Sequence, residues 1–226
     1  MKRRWNQMRN LKRQLLAGPY ILWMAGFILL PTVMILYYAF TTTSGNFSLL
    51  NVSSITFSVH LKSLILSLKL ALACTLICLA LSYPLAMILN SMKTKSQGLI
   101  VFIFILPMWM NFMLRILAWR LLLSNNGVIN SLLGTLGLPG LDILNTPKAV
   151  VFCMVYDFLP FMILPIYNAM ARIEKDIIEA AKDLGAGNIT IFFKIIVPLT
   201  MSGVISGIIM VFVPALTSFA ISDLLG

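Results

Sequence analysis

Long apolar runs, separated by short polar stretches, dominate the chain. From Gln14 to Leu61 there is no Asp, Glu, Lys or Arg, and the first apolar run covers about residues 19–40. A hydrocarbon core takes about 20 apolar residues in a helix, so this run predicts a membrane-spanning helix. It exceeds the roughly 7–15 apolar residues of a signal peptide and lacks a small-residue cleavage site, which makes it an uncleaved first span. Thr41 to Ser58, rich in Thr, Ser and Asn, predicts a polar external loop. Four further runs lie at about 64–90, 99–122, 149–170 and 198–220, with a Gly/Pro-rich loop at 123–147 and a polar segment at 171–197. The predicted fold is all-α: a polytopic transmembrane helical bundle of five spans, forming a single domain over residues 1–226.

Composition narrows this picture. Of 226 residues, 60% are hydrophobic and 11% charged, against about 25% charged in a soluble domain. The mean hydropathy is +0.96. An ordinary soluble enzyme and a disordered chain are both excluded.

The charge is lopsided, with 17 Lys+Arg against 7 Asp+Glu. A basic balance can mean nucleic acid, but the distribution argues for a membrane anchor instead. Lys2, Arg3, Arg4, Arg9, Lys12 and Arg13 precede the first span, Lys93 and Lys95 follow the second, and others lie between Arg172 and Lys194. The loops at 41–58 and 123–147 hold no Lys or Arg. That alternation places the N-terminus in the cytoplasm and predicts a lipid bilayer, not nucleic acid, as the partner. Cys74 and Cys78 share a helix face, Cys153 lies in another run, and His60 is the only histidine. No metal-ligand set results, so these cysteines read as small apolar residues, and neither metal nor cofactor is expected.

The polar segment between the last two runs carries the most specific pattern. It reads Glu179-Ala180-Ala181-Lys182-Asp183-Leu184-Gly185-Ala186 and continues to Ile195, Val197 and Pro198. A short helix from Ile173 to Leu184 is predicted to end at Gly185, since glycine tolerates the left-handed conformation just past a helix end. Ala180 and Ala181 allow close approach of another backbone, and Glu179, Lys182 and Asp183 give a charged face. A second amphipathic piece, Ile189 to Val197, sets Ile189, Phe192, Phe193 and Ile196 at helical spacing. Physically, the segment is either a docking element or a helix lying on the membrane surface.

Glu-Ala-Ala, three residues, Gly, nine residues, Ile, one residue, Leu-Pro is the pattern of the EAA loop of ABC importer permeases. This chain resembles it at Glu179, Ala180, Ala181, Gly185, Ile195 and Pro198, with Val197 in place of Leu. Leu106-Pro107 with Trp109, Asn111 and Arg115, Leu159-Pro160-Phe161-Met162 before Pro165, and Pro198-Leu199-Thr200 are similar to the spermidine/putrescine subgroup. So is Ser222 to Gly226.

The resemblance implies a multi-pass protein of the bacterial plasma membrane. It implies a sister permease subunit, cytoplasmic ATP-binding cassette ATPase subunits docked on the EAA helix, and an external polyamine-binding protein. Glu179 to Gly185 would then be the mechanical link. No G-x-x-x-x-G-K-[ST] phosphate loop occurs, so ATP chemistry belongs to a separate subunit and the chain is not itself an enzyme. The resemblance also implies a sixth helix, so a chain ending at Gly226 is about one helix short. A permease for another small solute such as an anion, or a truncated membrane protein that does not transport, are the alternatives.

Several residues within the spans carry candidate chemistry. Asp157 lies about 13 Å into the fourth run, near the middle of a ~30 Å core, where a carboxylate needs a polar cavity or a partner. It is either a transient site for a polyamine ammonium or the partner of an Arg or a helix-packing hydrogen bond. Arg115 and Arg120 lie late in the third run and can snorkel outward, which reads as an anchor or gate. If Arg115 lines the path, it argues for an anionic solute. Trp109, Tyr156 and Tyr167 offer rings to an ammonium chain, and Trp119 fits an interfacial aromatic belt. Asp157, Trp109 and Tyr156 are the expected path residues. Gly203 and Gly207, with Ser202 and Ser206, favour close helix packing, with the sister subunit as a candidate partner. Pro107, Pro160 and Pro165 can kink their helices.

Overall fold

The computed structural model describes residues 17–42, 45–54, 57–92, 102–104 and 106–225. The cations before the first span, and Lys93 and Lys95, lie outside these residues. Among the described residues all long elements are helical, and the one β pairing is an isolated bridge between Thr41 and Phe47. The chain forms two compact units, Met1–Leu64 and Ile65–Gly226.

In the first unit, α1 (Ala17–Ala39) has 23 residues, about 35 Å of helix, enough to cross a ~30 Å hydrocarbon core. It is apolar on every side, the pattern of a helix solvated by lipid. The predicted external loop is held by its own polar groups. The Asn51 side-chain amide donates to the carbonyls of Tyr38 and Thr41, both at 3.0 Å. A single helical turn forms at Leu50–Ser53. Helix α2 (Ser58–Ser91) has 34 residues, belongs to the second unit from Ile65 onward, and starts six residues before the predicted boundary. Its first turns are polar without being helix-breaking, so hydropathy marks where the membrane begins rather than where the helix does.

The second unit corrects the third predicted span. Instead of one helix over 99–122, helical segments at Phe102–Trp109 and Phe112–Thr135 meet at an angle of 96°. Leu106–Trp109 is a tight 3-10 turn, and α3 (Phe112–Leu123) starts afresh. Asn111 explains the restart. Its side-chain oxygen accepts from the backbone N–H groups of Met113 at 2.9 Å and Leu114 at 3.3 Å, an N-cap that satisfies two otherwise orphaned donors.

The loop predicted at 123–147 contains a further helix, α4 (Val128–Thr135). Asn130 ties it to the chain beyond. Its side-chain oxygen accepts from Leu141 N–H at 2.6 Å while its amide donates to the Ser124 and Leu141 carbonyls.

Helices α5 (Pro147–Met170), α6 (Lys175–Asp183), α7 (Asn188–Thr217) and α8 (Phe219–Leu225) complete the unit. The second amphipathic piece is not separate, because α7 begins at Asn188 and runs unbroken through it into the membrane. The fifth span closes at Thr217 rather than near residue 220, and Ser218 separates it from α8. Among the described residues four helices are long and apolar enough to cross a membrane, or five when the bent pair counts as one span. The five-span reading therefore stands with its third member broken.

The core is built on α5, which buries Val150, Cys153, Met154, Met162, Ile163 and Ile166. Helix α7 is its main neighbour, and glycine sets their approach. A Cβ on Gly203 would meet the Pro165 carbonyl oxygen at 2.5 Å, and one on Gly207 would meet the Met162 sulfur at 2.7 Å. The small-residue face thus packs inside this chain, while Ser202 and Ser206 face outward. Cys74, Cys78 and Cys153 are fully buried and behave as small core residues.

Candidate functional site

Helix α6 is exposed along most of its length, with only Ile178 and Ala181 partly covered. Its charges suit its dipole, since Asp176 lies in the first turn and Lys182 in the last. Glu179, Ala180, Lys182 and Asp183 all face outward. The helix spans Lys175–Asp183 rather than 173–184. Its end follows from Gly185, whose φ is +81°.

At that end the Gly185 N–H donates to the Lys182 carbonyl at 2.9 Å and the Ala186 N–H to the Ala181 carbonyl at 3.0 Å. This paired closure satisfies carbonyls that a frayed end would leave open. Beyond it, Leu184 and Ile189 are 89% and 76% exposed. The helix is thus capped and charged, and exposed leucine and isoleucine flank it. Ala181 is half-covered and Ala180 bare.

Helix α7 then carries the chain inward. At Phe192–Ile196 its ladder widens into a π-turn, where the Val197 N–H bonds to the Phe192 carbonyl. Pro198 accounts for this, because it has no N–H to offer the Lys194 carbonyl and its ring crowds that group. Ile195 is half-buried in the widened turn and Pro198 is exposed. The EAA-pattern residues therefore form one continuous piece, from α6 through a tight turn into the base of α7.

The expected path residues do not come together. Trp109, in the 3-10 turn, is 77% exposed. Tyr156 is half-buried and stacks edge-to-face with Trp119, their centroids 5.2 Å apart. Trp119 also meets Phe152 at 4.8 Å, so it joins α3 to α5. Asp157 is enclosed. Its Oδ1 lies 3.3 Å from Arg115 Nε, with the two side chains 1% and 10% exposed. Arg115 also donates to the Pro107 carbonyl at 3.1 Å.

The break in the third span explains this arginine. Restarting at Asn111 puts Arg115 in the first turn of α3, aimed inward, rather than about 24 Å along a straight helix where it would snorkel. Of the readings open for Asp157, the geometry favours the arginine pair. Arg120 remains exposed. Sequence reasoning missed the contact between Tyr83 and Thr200, whose side-chain oxygens lie 2.5 Å apart. Pro84 and Pro198 were the available signals, each marking a softened ladder beside one partner.

Comparison with known proteins bears on this arrangement. The family model described as "Binding-protein-dependent transport system inner membrane component" matches residues 79–226. The chain is 38% identical over 212 residues to the spermidine/putrescine transport system permease protein PotB of Escherichia coli, covering 90% of this chain and 77% of that protein. It is 37% identical over 213 residues to PotB of Haemophilus influenzae. A crystal structure of a bacterial ABC transporter that imports the acidic polysaccharide alginate superposes with a TM-score of 0.79 at 18% identity. That match covers 97% of this chain and 80% of the other, and it shows a shared fold.

Proposed function

Since the chain belongs to the binding-protein-dependent transport system inner membrane components, a family of multi-pass permeases, we propose that it forms part of the translocation path of a polyamine importer. The permease is not itself an enzyme. On this reading residues 1–226 act as one permease domain beside a sister permease, separate ATPase subunits supply the hydrolysis, and an external binding protein delivers spermidine or putrescine.

The observation that carries the coupling half of the proposal is the exposed, glycine-closed helix α6. Its outward face is Glu179, Ala180, Lys182 and Asp183, and it is joined through one tight turn to the base of a membrane-spanning helix. A push on α6 by an ATPase reaches α7 with little slack, because two backbone hydrogen bonds close the Gly185 turn. Ala181 is one of two half-covered residues of the helix, and Ile195 and Pro198 lie at the base of α7 beyond the turn.

The path half rests on the relatives and on fewer residues. Trp109 is the most exposed of the path candidates, and its ring, which meets Phe102 edge-on with centroids 5.9 Å apart, keeps surface to offer an ammonium group. Tyr156 packs edge-to-face against Trp119 instead, and Asp157 pairs with Arg115. That engagement removes the observation on which an anionic solute rested, since Arg115 has no charge to spare for one.

The test is uptake of labelled spermidine and putrescine by cells expressing this chain with its ATPase, sister permease and binding protein. Glu179→Lys and Gly185→Asp should abolish uptake and reduce co-purification of the ATPase while membrane insertion persists. Uptake and association that survive both substitutions would defeat the coupling assignment. A wild-type system that carries neither polyamine would defeat the substrate assignment alone.

A further inference from the structure

Tyr83 and Thr200 are 117 positions apart, yet their hydroxyl oxygens lie 2.5 Å apart. Thr200 is fully buried and Tyr83 half-buried. The direction of the bond follows from counting protons. The Thr200 hydroxyl also lies 2.8 Å from the Ile196 carbonyl and 3.2 Å from that of Val197. A hydroxyl has one proton to give, so Thr200 donates back into its own helix and accepts from Tyr83. The Tyr83 ring meets Phe192 edge-on, with centroids 5.4 Å apart and planes at 80°. One side chain of α2 therefore grips both ends of the π-turn in α7, Phe192 at its start and Thr200 just past its end.

Both helices are soft at this point. Pro84 follows Tyr83 and withdraws an N–H from the α2 ladder. In α7 Pro198 withdraws one and the ladder widens into the π-turn Phe192–Ile196, and such turns occur often at functional sites. Elsewhere α7 is tied mainly to α5. We propose that Tyr83 is a positioning residue that latches the π-turn to α2, so that displacement of α6 moves α2 together with α7 and ATP use stays linked to transport. This rests on the coupling role assigned to α6.

The complete transporter in proteoliposomes, with ATPase, sister permease and binding protein, provides the test. Tyr83→Phe keeps the ring against Phe192 and removes only the hydroxyl. Thr200→Val removes the acceptor at nearly constant shape, and Thr200→Ser retains it. Two ratios are read: ATP hydrolysis with binding protein over hydrolysis without it, and solute moved per ATP. The expected change is a fall of about fivefold in both for Tyr83→Phe and for Thr200→Val, the population shift that one net hydrogen bond carries. The double variant should be no worse than either single, and Thr200→Ser should stay near wild type.

A purely packing role would lower the yield of assembled transporter and leave both ratios unchanged, which would overturn the proposal. So would additive effects in the double variant. The ATPase ratio does not require knowing the solute, so a latch that fails is distinguishable from a substrate that was misassigned. If Glu179→Lys leaves ATPase association intact while Tyr83→Phe still lowers the ratio, the docking assignment fails and the latch does not.

Discussion

Arg115 Nε lies 3.3 Å from Asp157 Oδ1, joining the first turn of α3 to the middle of α5 inside one chain. Breaking such a pair by removing one charge leaves the other buried alone, at a cost of about 3–5 kcal/mol, whereas replacing both with apolar groups of similar volume is often tolerated. Arg115→Met should therefore lower the thermal unfolding temperature of the purified protein sharply. Adding Asp157→Leu should recover most of the loss. A double variant as unstable as the single would mean that the charge contact is not what holds α3 to α5.

The same pair separates two roles for Asp157. Asp157→Asn should reduce uptake only as far as it reduces the amount of assembled transporter, leaving uptake per transporter unchanged. A fall in uptake at constant assembly would place Asp157 on the route of the solute.

Close approach of α7 to α5 depends on missing side chains. A Cβ on Gly203 would meet the Pro165 carbonyl oxygen at 2.5 Å and the Ala169 Cβ at 2.7 Å, and neither group can swing away. Gly203→Val should destabilise the protein by about 1–3 kcal/mol, seen as lower expression and a lower unfolding temperature. Ser202→Ala, one position along on the exposed face, should change neither.

Gly185 closes α6 with a φ of +81°. A side chain there costs about 1–2 kcal/mol, least for Asn and most for a β-branched residue. Uptake should therefore fall in the order Gly185, Gly185→Asn, Gly185→Ala, Gly185→Val, with insertion unaffected. An order set by side-chain volume instead would point to direct contact with a partner rather than to backbone conformation.

Asn111 caps the restart of the third span. Asn111→Ala should cost about 1 kcal/mol, and Asn111→Asp or Asn111→Ser should restore most of it. Thermal unfolding of the three variants measures this directly.

What the sequence made legible was local. Gly185 announced the end of α6 because cap rules act within four residues, and the apolar runs announced the spans because lipid demands continuous hydrophobicity. Where a polar residue acts inside an apolar run, the same reasoning fails. Asn111 is one amide among Pro107, Met108, Met110 and Phe112, and averaging over a span hides it. An unbroken third span would turn Arg115 outward, whereas the break brings it to Asp157 as the arginine partner that a buried carboxylate admits. The pairing joins positions 42 residues apart, and the Tyr83–Thr200 bond joins positions 117 apart. Neither leaves a periodic trace. Helix α4 escaped because Gly and Asn surround it, although Leu132 and Leu133 mark its apolar content.

Site-specific photo-crosslinking tests the central claim, that α6 and its turn receive an ATPase. A photoreactive phenylalanine analogue at Leu184, which is 89% exposed, should form an adduct with the ATPase subunit in membranes containing the assembled transporter. The same analogue at Ile209, which is 57% exposed and lies well inside α7, should not. An adduct at Leu184 that is lost with Glu179→Lys is the predicted result. An analogue at Leu184 that labels only lipid, with the ATPase present and active, would contradict the account.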